Sequence, residues 1–293
     1  MAKARELKRR IRSVESTRKI TKTMEMVATS KLKRATDRVL AARPFAAALA
    51  EVIGELYSPE LAERFPLLRR PKGTEKRVAL IVITSNRGLC GAFNANLIRE
   101  ARRRIEELEG RGSQVELHLI GRKGTVYFRF TKRAAASQRI DIGDKPTTAH
   151  AAEIIGPLRQ RFESGELDAV DVVFAKFNSA VSTPPTTLRI LPVLPPADAK
   201  KATAGPRTDY ILRPSADVIL EQLLPLYVQN QLFRALVETA AAEHGARRTA
   251  MKNATDSAGD MLDILRRTYN RARQAQITQE LAEIVGGAEA LQG

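Results

Sequence analysis

The sequence predicts an α/β protein: a long antiparallel coiled coil of N- and C-terminal helices plus a central Rossmann-like α/β domain. Three observations carry this. Both outer segments keep heptad spacing over many turns with very little Gly or Pro. The middle alternates short apolar runs with amphipathic ones. The positive charge is gathered at one end.

The first segment, 1–57, is read as one helix. Leu7, Ile11, Val14, Arg18, Thr21, Glu25, Ala28, Leu32, Ala35 and Val39 recur at alternating steps of four and three. That is a coiled-coil seam, apolar at both ends and polar in the middle at Arg18, Thr21 and Glu25. Ile20, Met24 and Val27 form a second stripe facing elsewhere. At ~1.5 Å per residue the helix is roughly 80 Å long, more than one small domain covers.

The central domain, 75–193, changes period. "RVALIVIT" (77–84), "QVELHLIG" (114–121) and "AVDVVFAKF" (169–177) read as strands, and "PPTTLRILPV" (184–193) adds a fourth. The first and third are nearly continuous apolar runs, which suit a sheet covered on both faces. Residues 94–110 and 147–165 read as helices. The alternation implies a mostly parallel sheet. Residues 194–214 form a Pro- and Ala-rich linker.

The last segment, 215–287, mirrors the first. Met251, Ala254, Ala258, Met261, Leu265, Thr268 and Ala272 step by three and four. Pro225 is expected to kink or start the main run. Beyond it the helix spans about 90 Å. The small seam residues Ala28, Ala35, Ala254 and Ala258 permit close pairing with the first helix, in a register the sequence does not fix. An apolar face, Ile277, Leu281, Ile284, Val285 and Ala288, continues almost to Gly293 and calls for something pressed against it.

The net charge is +16, and residues 1–43 hold fourteen Lys or Arg against four acids, so +10 of it lies there. An acidic partner is implied: nucleic acid, anionic lipid or an acidic protein surface. Aromatic residues are 5%, Trp is absent, and no aromatic interleaves with the basic run before Phe45. These features weigh against nucleic acid bound by stacking. Cys90 is the only cysteine and the three histidines lie far apart, so neither a disulfide framework nor a metal cluster is expected. No apolar run reaches the ~20 residues of a membrane helix. The charged N-terminus does not read as a secretory signal, and a cytoplasmic, bacterial-type protein is expected.

"VITSNRGLCGAFNANL" (82–97) places a Gly-containing turn between a strand and a helix. The position suits a phosphate, but G-x-x-G falls short of both the dinucleotide and the P-loop fingerprints. A tight turn without ligand is expected, with Cys90 a packed side chain. No Ser/His/Asp constellation stands out, His244 reads as a solvated helix residue, and no catalytic residue is assigned. Two other readings, a nucleotide-binding enzyme with coiled-coil arms and a basic DNA-binding coiled coil, predict bound nucleotide and steeply salt-dependent DNA binding respectively.

Four stretches together resemble the gamma subunit of F-type ATP synthases of bacterial type. They are "ITKTMEMVATSKLKRA" (20–35), "TSNRGLCGAFN" (84–94), "AMKNATDSAGDM" (250–261) and "YNRARQAQITQELAEIVGGAEA" (269–290). The resemblance implies a central rotor shaft, a non-catalytic subunit coupling proton flow to ATP synthesis and hydrolysis on the alpha and beta subunits. It implies alpha and beta subunits, the epsilon subunit and the c-subunit ring as partners, with no cofactor of its own and no nucleic acid. It places the chain peripherally on the cytoplasmic face of the cell membrane, in contact with it only through the complex. Residue by residue, Met24 matches the position beside the acidic lever loop of the beta subunits, with Lys19, Lys22 and Lys31 around it. Arg273, Gln274 and Thr278 match the polar catch between shaft and beta subunits, and Arg247 another coupling position. Ile277, Leu281, Ile284, Val285 and Ala288 match the tip that turns in an apolar bearing. Tyr210, Leu212 and Arg213 fall where the family meets the ring. There "YILRP" (210–214) departs from the family's Tyr-x-Tyr/Phe-Glu-Pro, placing a cation where the acid stands. The two-cysteine insertion of chloroplast relatives is missing, so no thiol switch is expected.

Overall fold

A computed structural model of the chain describes residues 2–56, 64–69, 73, 75–194 and 216–290. In chain order the elements are α1 (Ala2–Leu56), a 3-10 turn (Pro66–Leu68), β1 (Arg77–Ile83), α2 (Phe93–Gly110), β2 (Gln114–Ile120), α3 (Arg122–Phe130), β3 (Ser137–Arg139), α4 (Thr148–Glu163), β4 (Ala169–Ala175), β5 (Pro185–Leu191) and α5 (Ala216–Ala290). They form two compact units: residues 29–246, and residues 1–28 with 247–293.

Residues 29–246 are built on a five-stranded sheet of order β3-β2-β1-β4-β5. β1 pairs in parallel with β2 and β4, β2 pairs in parallel with β3, and β5 closes the edge antiparallel to β4. The strand order reverses direction beside β1, as in doubly wound sheets. β1 is buried on both faces, and alternate residues feed different cores. Ala79, Ile81 and Ile83 pack with α4 and with the Leu220–Leu236 stretch of α5, which contributes Leu220, Leu224, Val228 and Leu232 at steps of four. Leu80 and Val82 pack with Phe93, Leu97, Ala101 and Ile105 of α2, and with Leu32, Ala35 and Val39 of α1. The predicted strands and helices are present within a few residues of their expected limits. α3 and β3 are additional to them.

Residues 2–28 and 247–290 pair as an antiparallel coil. Thr21 meets Thr255, a Cβ on Gly259 would lie 3.8 Å from the Arg18 guanidinium, and Glu15 bonds Arg266 at 2.7 Å. The α1 seam is as expected at Leu7, Ile11, Val14, Thr21 and Ala28, which are buried or half-buried, but Arg18 is exposed. The α5 seam keeps its period and shifts by one residue at every second position. Thr255 and Leu262 are buried and Tyr269 half-buried, while Met261 is 53% exposed and Thr268 is exposed. Leu262 offers a branched side chain where Met261 offers a flexible one, and Thr255 finds a hydroxyl partner across the seam, so these positions turn inward. Pro225 neither starts nor interrupts α5, which runs through it for 75 residues. Its missing N–H leaves one carbonyl without a helical partner, within a helix held by tertiary packing.

Candidate functional site

The coil end of α5 is its most distinctive surface. Carried back to Ala2, the Thr21–Thr255 and Glu15–Arg266 pairings end opposite about residues 274–279, so α5 outruns its partner. From Ile277 to Ala288 every residue is exposed. Ile277 is 48% exposed, Leu281 57%, Ile284 68% and Val285 57%, a continuous apolar face uncovered within the chain. Such a face on a helix surrounded by charge marks an interaction surface. The three polar residues singled out beside it, Arg273, Gln274 and Thr278, are exposed too. The Thr278 hydroxyl donates to the Gln274 carbonyl at 3.0 Å, which leaves the Arg273 guanidinium and the Gln274 amide facing outward.

The basic residues of α1 divide. Lys19 and Lys22 are exposed, Lys22 lying 3.1 Å from Glu25, and Met24 between them is half-buried. Ile20 is 60% and Val27 52% exposed, so the second stripe is bare in the chain alone. Lys31 is engaged at home: its ammonium lies 2.5 Å from the Asp144 carboxylate. Arg247 is buried. Tyr210, Leu212 and Arg213 lie outside the described residues.

His244 is not solvated: it is 2% exposed, and its Nε2 lies 3.6 Å from Asp144. The sequence alone reads it as a solvated helix residue. Instead α5 is buried nearly all round from Ala235 to Arg247. The signal for this was available in the apolar stretch "LFRALVETAAA" (232–242), which is too apolar for a one-sided helix.

The turn after β1 uses its polar groups on itself. Leu89 and Gly91 take φ of +61° and +59°. Asn94 accepts from the Ser85 N–H at 3.0 Å, and Cys90 is buried with its sulfur 3.2 Å from Asn94 Nδ2. A cavity of about 460 Å³ opens at the strand ends, lined by Thr84, Asn86, Arg122, Asp141 and Thr239 among others. The first amides of α3 beside it are already taken: Arg122 N–H donates to Asn86 Oδ1, Lys123 N–H to the Ser85 carbonyl and Gly124 N–H to Thr84 Oγ1. Gly121 permits this closure: it has φ +95°, and a Cβ there would lie 2.1 Å from the Thr84 carbonyl oxygen. Among the described residues no group of three His, Cys, Asp or Glu is placed to hold a metal ion. No helix among them is long and apolar enough to cross a membrane.

The pairing of the two outer helices, the bare apolar end of one of them, and an α/β domain carried on both define a coiled-coil subunit of a larger assembly. The family model described as ATP synthase matches residues 3–291. The ATP synthase gamma chain of Gemmatimonas aurantiaca is 66% identical over 293 residues, covering all of both chains. That of Moorella thermoacetica is 45% identical over 291 residues, covering 99% of this chain and all of the relative. Among solved structures, a chain of the central stalk and c-ring of the Tetrahymena thermophila mitochondrial ATP synthase is 25% identical with a TM-score of 0.58, covering 80% of this chain and 99% of that one. A chain of the Euglena gracilis mitochondrial ATP synthase shares the fold at 18% identity, TM-score 0.66, covering 99% and 95%. The chain belongs to the ATP synthase gamma chain family.

Proposed function

We propose that this chain is the central rotor shaft of an ATP synthase, coupling proton flow through the membrane sector to ATP synthesis or hydrolysis on the alpha and beta subunits. It is itself non-catalytic and binds no cofactor. Its asymmetric coil meets each beta subunit differently, so each site holds a different nucleotide affinity, and rotation cycles those affinities. This is coupling free energy between distant sites carried by a stiff element. The observation that supports it best is the uncovered apolar end of α5, Ile277 to Ala288, on a chain matched along its whole length by gamma chains.

The partners are the alpha and beta subunits, the epsilon subunit and the c-subunit ring. Nucleic acid is not among them. Ile277, Leu281, Ile284, Val285 and Ala288 run in an apolar bearing. Arg273, Gln274 and Thr278 form a polar catch on a beta subunit, and Lys19, Lys22, Met24 and Arg247 belong to the same coupling surface. Lys31 keeps Asp144 as its partner within the chain, so its share in that surface is electrostatic. Tyr210, Leu212 and Arg213 face the ring. The complex sits on the cytoplasmic face of the cell membrane, and this chain touches the membrane only through it.

The test compares complexes assembled with three forms of the chain: unchanged, shortened by residues 289–293, and carrying Arg273→Glu with Gln274→Ala. The shortened form is expected to weaken assembly modestly, and the charge reversal to impair ATP-driven pumping more. Equal behaviour of the two variants would remove the catch assignment. Met24→Lys adds a tether to an acidic loop and is expected to lower protons pumped per ATP. An unchanged ratio would count against that contact.

A further inference from the structure

The unit of residues 29–246 contains parts of both long helices together with the whole sheet. Apolar packing supplies the cohesion: Leu32, Ala35, Val39, Leu49 and Ile53 of α1 and Leu220, Leu224, Leu232 and Leu236 of α5 are buried in its cores. Such packing is non-directional. It holds the two surfaces together, but no single contact in it is fixed in direction. Hydrogen bonds are directional and weaken steeply when bent, so they resist shear.

Two polar arrangements lie where strands end, and each joins the α/β domain to both long helices. The first grips Phe177, two residues past β4. Its N–H donates to Glu238 Oε2 of α5 at 3.0 Å, and its carbonyl accepts from Arg43 Nη2 of α1 at 2.9 Å. Glu238 is 1% exposed, and its other oxygen accepts from Arg234 at 2.7 Å. The next residue of α5, Thr239, accepts from the Ala175 N–H at 3.3 Å. A turn and a half on, Gly245 lets α5 approach so closely that a Cβ would lie 3.0 Å from the Ala180 carbonyl oxygen. The second arrangement grips Asp144, in the loop after β3. Lys31 and Arg38 of α1 reach its carboxylate and its carbonyl at 2.5 and 3.1 Å, and His244 of α5 stands beside the carboxylate.

We infer that these two clamps carry torque between the α/β domain and the paired helices, with Glu238 and Arg43 as positioning residues for coupling. The inference rests on the rotor reading above. A load applied to the domain tends to slide it along the helices. Holding both backbone groups of one residue, from two different helices, blocks that movement in both directions. With the clamp gone the apolar core remains, so the chain folds and the coil end still meets the catalytic head, but the domain slips under load.

The experiment uses the complete complex in inverted membrane vesicles. It compares the unchanged chain with Arg43→Ala, Glu238→Leu, the double variant, and Arg43→Lys, which keeps a donor for the Phe177 carbonyl. Both ATP hydrolysis and protons pumped per ATP are measured. Hydrolysis is expected to stay within about twofold while pumping per ATP falls about threefold or more in the double variant, a size typical of lost coupling contacts. Arg43→Lys is expected to restore most of the ratio. Faster amide exchange at Phe177, whose N–H Glu238 holds, reports that the Glu238 half of the clamp is open. An open clamp with an unchanged pumping ratio would overturn the inference. If Glu238→Leu fails to assemble, Arg43→Ala alone, at an exposed position, decides the matter by the same ratio. A complex that hydrolyses and pumps without this chain overturns the rotor reading instead, which is a separate result.

Discussion

Asp171 sits on β4, an interior strand, with no exposed surface. Arg104 reaches it with Nε and Nη2 at 2.9 and 2.7 Å, and Arg189 with Nε at 2.7 Å. Arg189 also pairs with Glu75. Burial works against the Arg189 charge, yet its hydrogen bonds to Asp171 and Glu75 outweigh this and raise its pKa. Removing the shared acid leaves two guanidiniums without it in the same place. Asp171→Ala is expected to cost about 3–5 kcal/mol of stability in urea unfolding, in line with broken buried pairs. A loss below about 1 kcal/mol, the level of surface pairs, would contradict this. In the sequence Asp171 is one polar letter in the apolar run "AVDVVFA", and its partners are distant in the chain, so the network was not legible there. His118 is a second buried polar residue. Its Nδ1 meets Ser137 at 2.7 Å and its Nε2 meets Glu116, which Arg161 also holds. Burial lowers the His118 pKa below the ordinary 6.5, against the pull of Glu116. A depressed histidine favours the neutral form in the folded state. Its contribution is therefore complete above about pH 6.5 and is lost as pH falls below it. His118→Gln is expected to flatten the fall in melting temperature between about pH 7 and pH 5. An identical pH profile in the variant would rule this contribution out.

At the scale of elements, the coil seam is the most informative comparison. Its period was readable because apolar side chains on a helix must recur every three or four residues to meet a partner. Its register was not, because Met261 and Leu262 are adjacent and equally apolar, and only the opposite helix decides between them. The polar pair at the crossing fixes that choice. Thr255 and Thr21 hydroxyls lie 2.8 Å apart, and each also has a carbonyl of its own helix within 3.1 Å. Thr21→Val and Thr255→Val are each expected to cost about 1 kcal/mol, with the double variant well short of the sum, because the contact between the two hydroxyls is lost only once. Strict additivity would show that the two do not interact. α3 and β3 escaped the sequence for a different reason. β3 is three residues long, below the length at which alternation can be seen. α3 has nine residues, buries only Gly124, Thr125 and Phe128, and begins with φ-positive Gly121 rather than a capping side chain. Tertiary fit, not local propensity, makes both.

At the scale of the whole molecule, the uncovered α5 end has the clearest functional consequence. The residues Ile277 to Ala288 were legible as a helical apolar face, and the structure leaves that face bare. Leu281→Asp with Ile284→Asp is expected to change the stability of the isolated chain by no more than about 0.5 kcal/mol, since both sites are exposed. The same pair is expected to weaken assembly with a catalytic head by about tenfold or more, as loss of a packed apolar anchor does. Equal loss in both measurements would mean the face is covered within the chain. The family was readable from four motifs spread along the sequence, which composition and periodicity alone could not have supplied. The contact of Lys31 with Asp144 was not readable, since 113 residues separate them.

The most direct measurement is reconstitution of the catalytic head. Alpha and beta subunits of the same organism are mixed with and without this chain, and both hexamer assembly and steady ATP hydrolysis are recorded. The rotor account predicts an assembled head whose sustained hydrolysis requires the chain. Correctly folded alpha and beta subunits that neither bind the chain nor change their activity in its presence would contradict it.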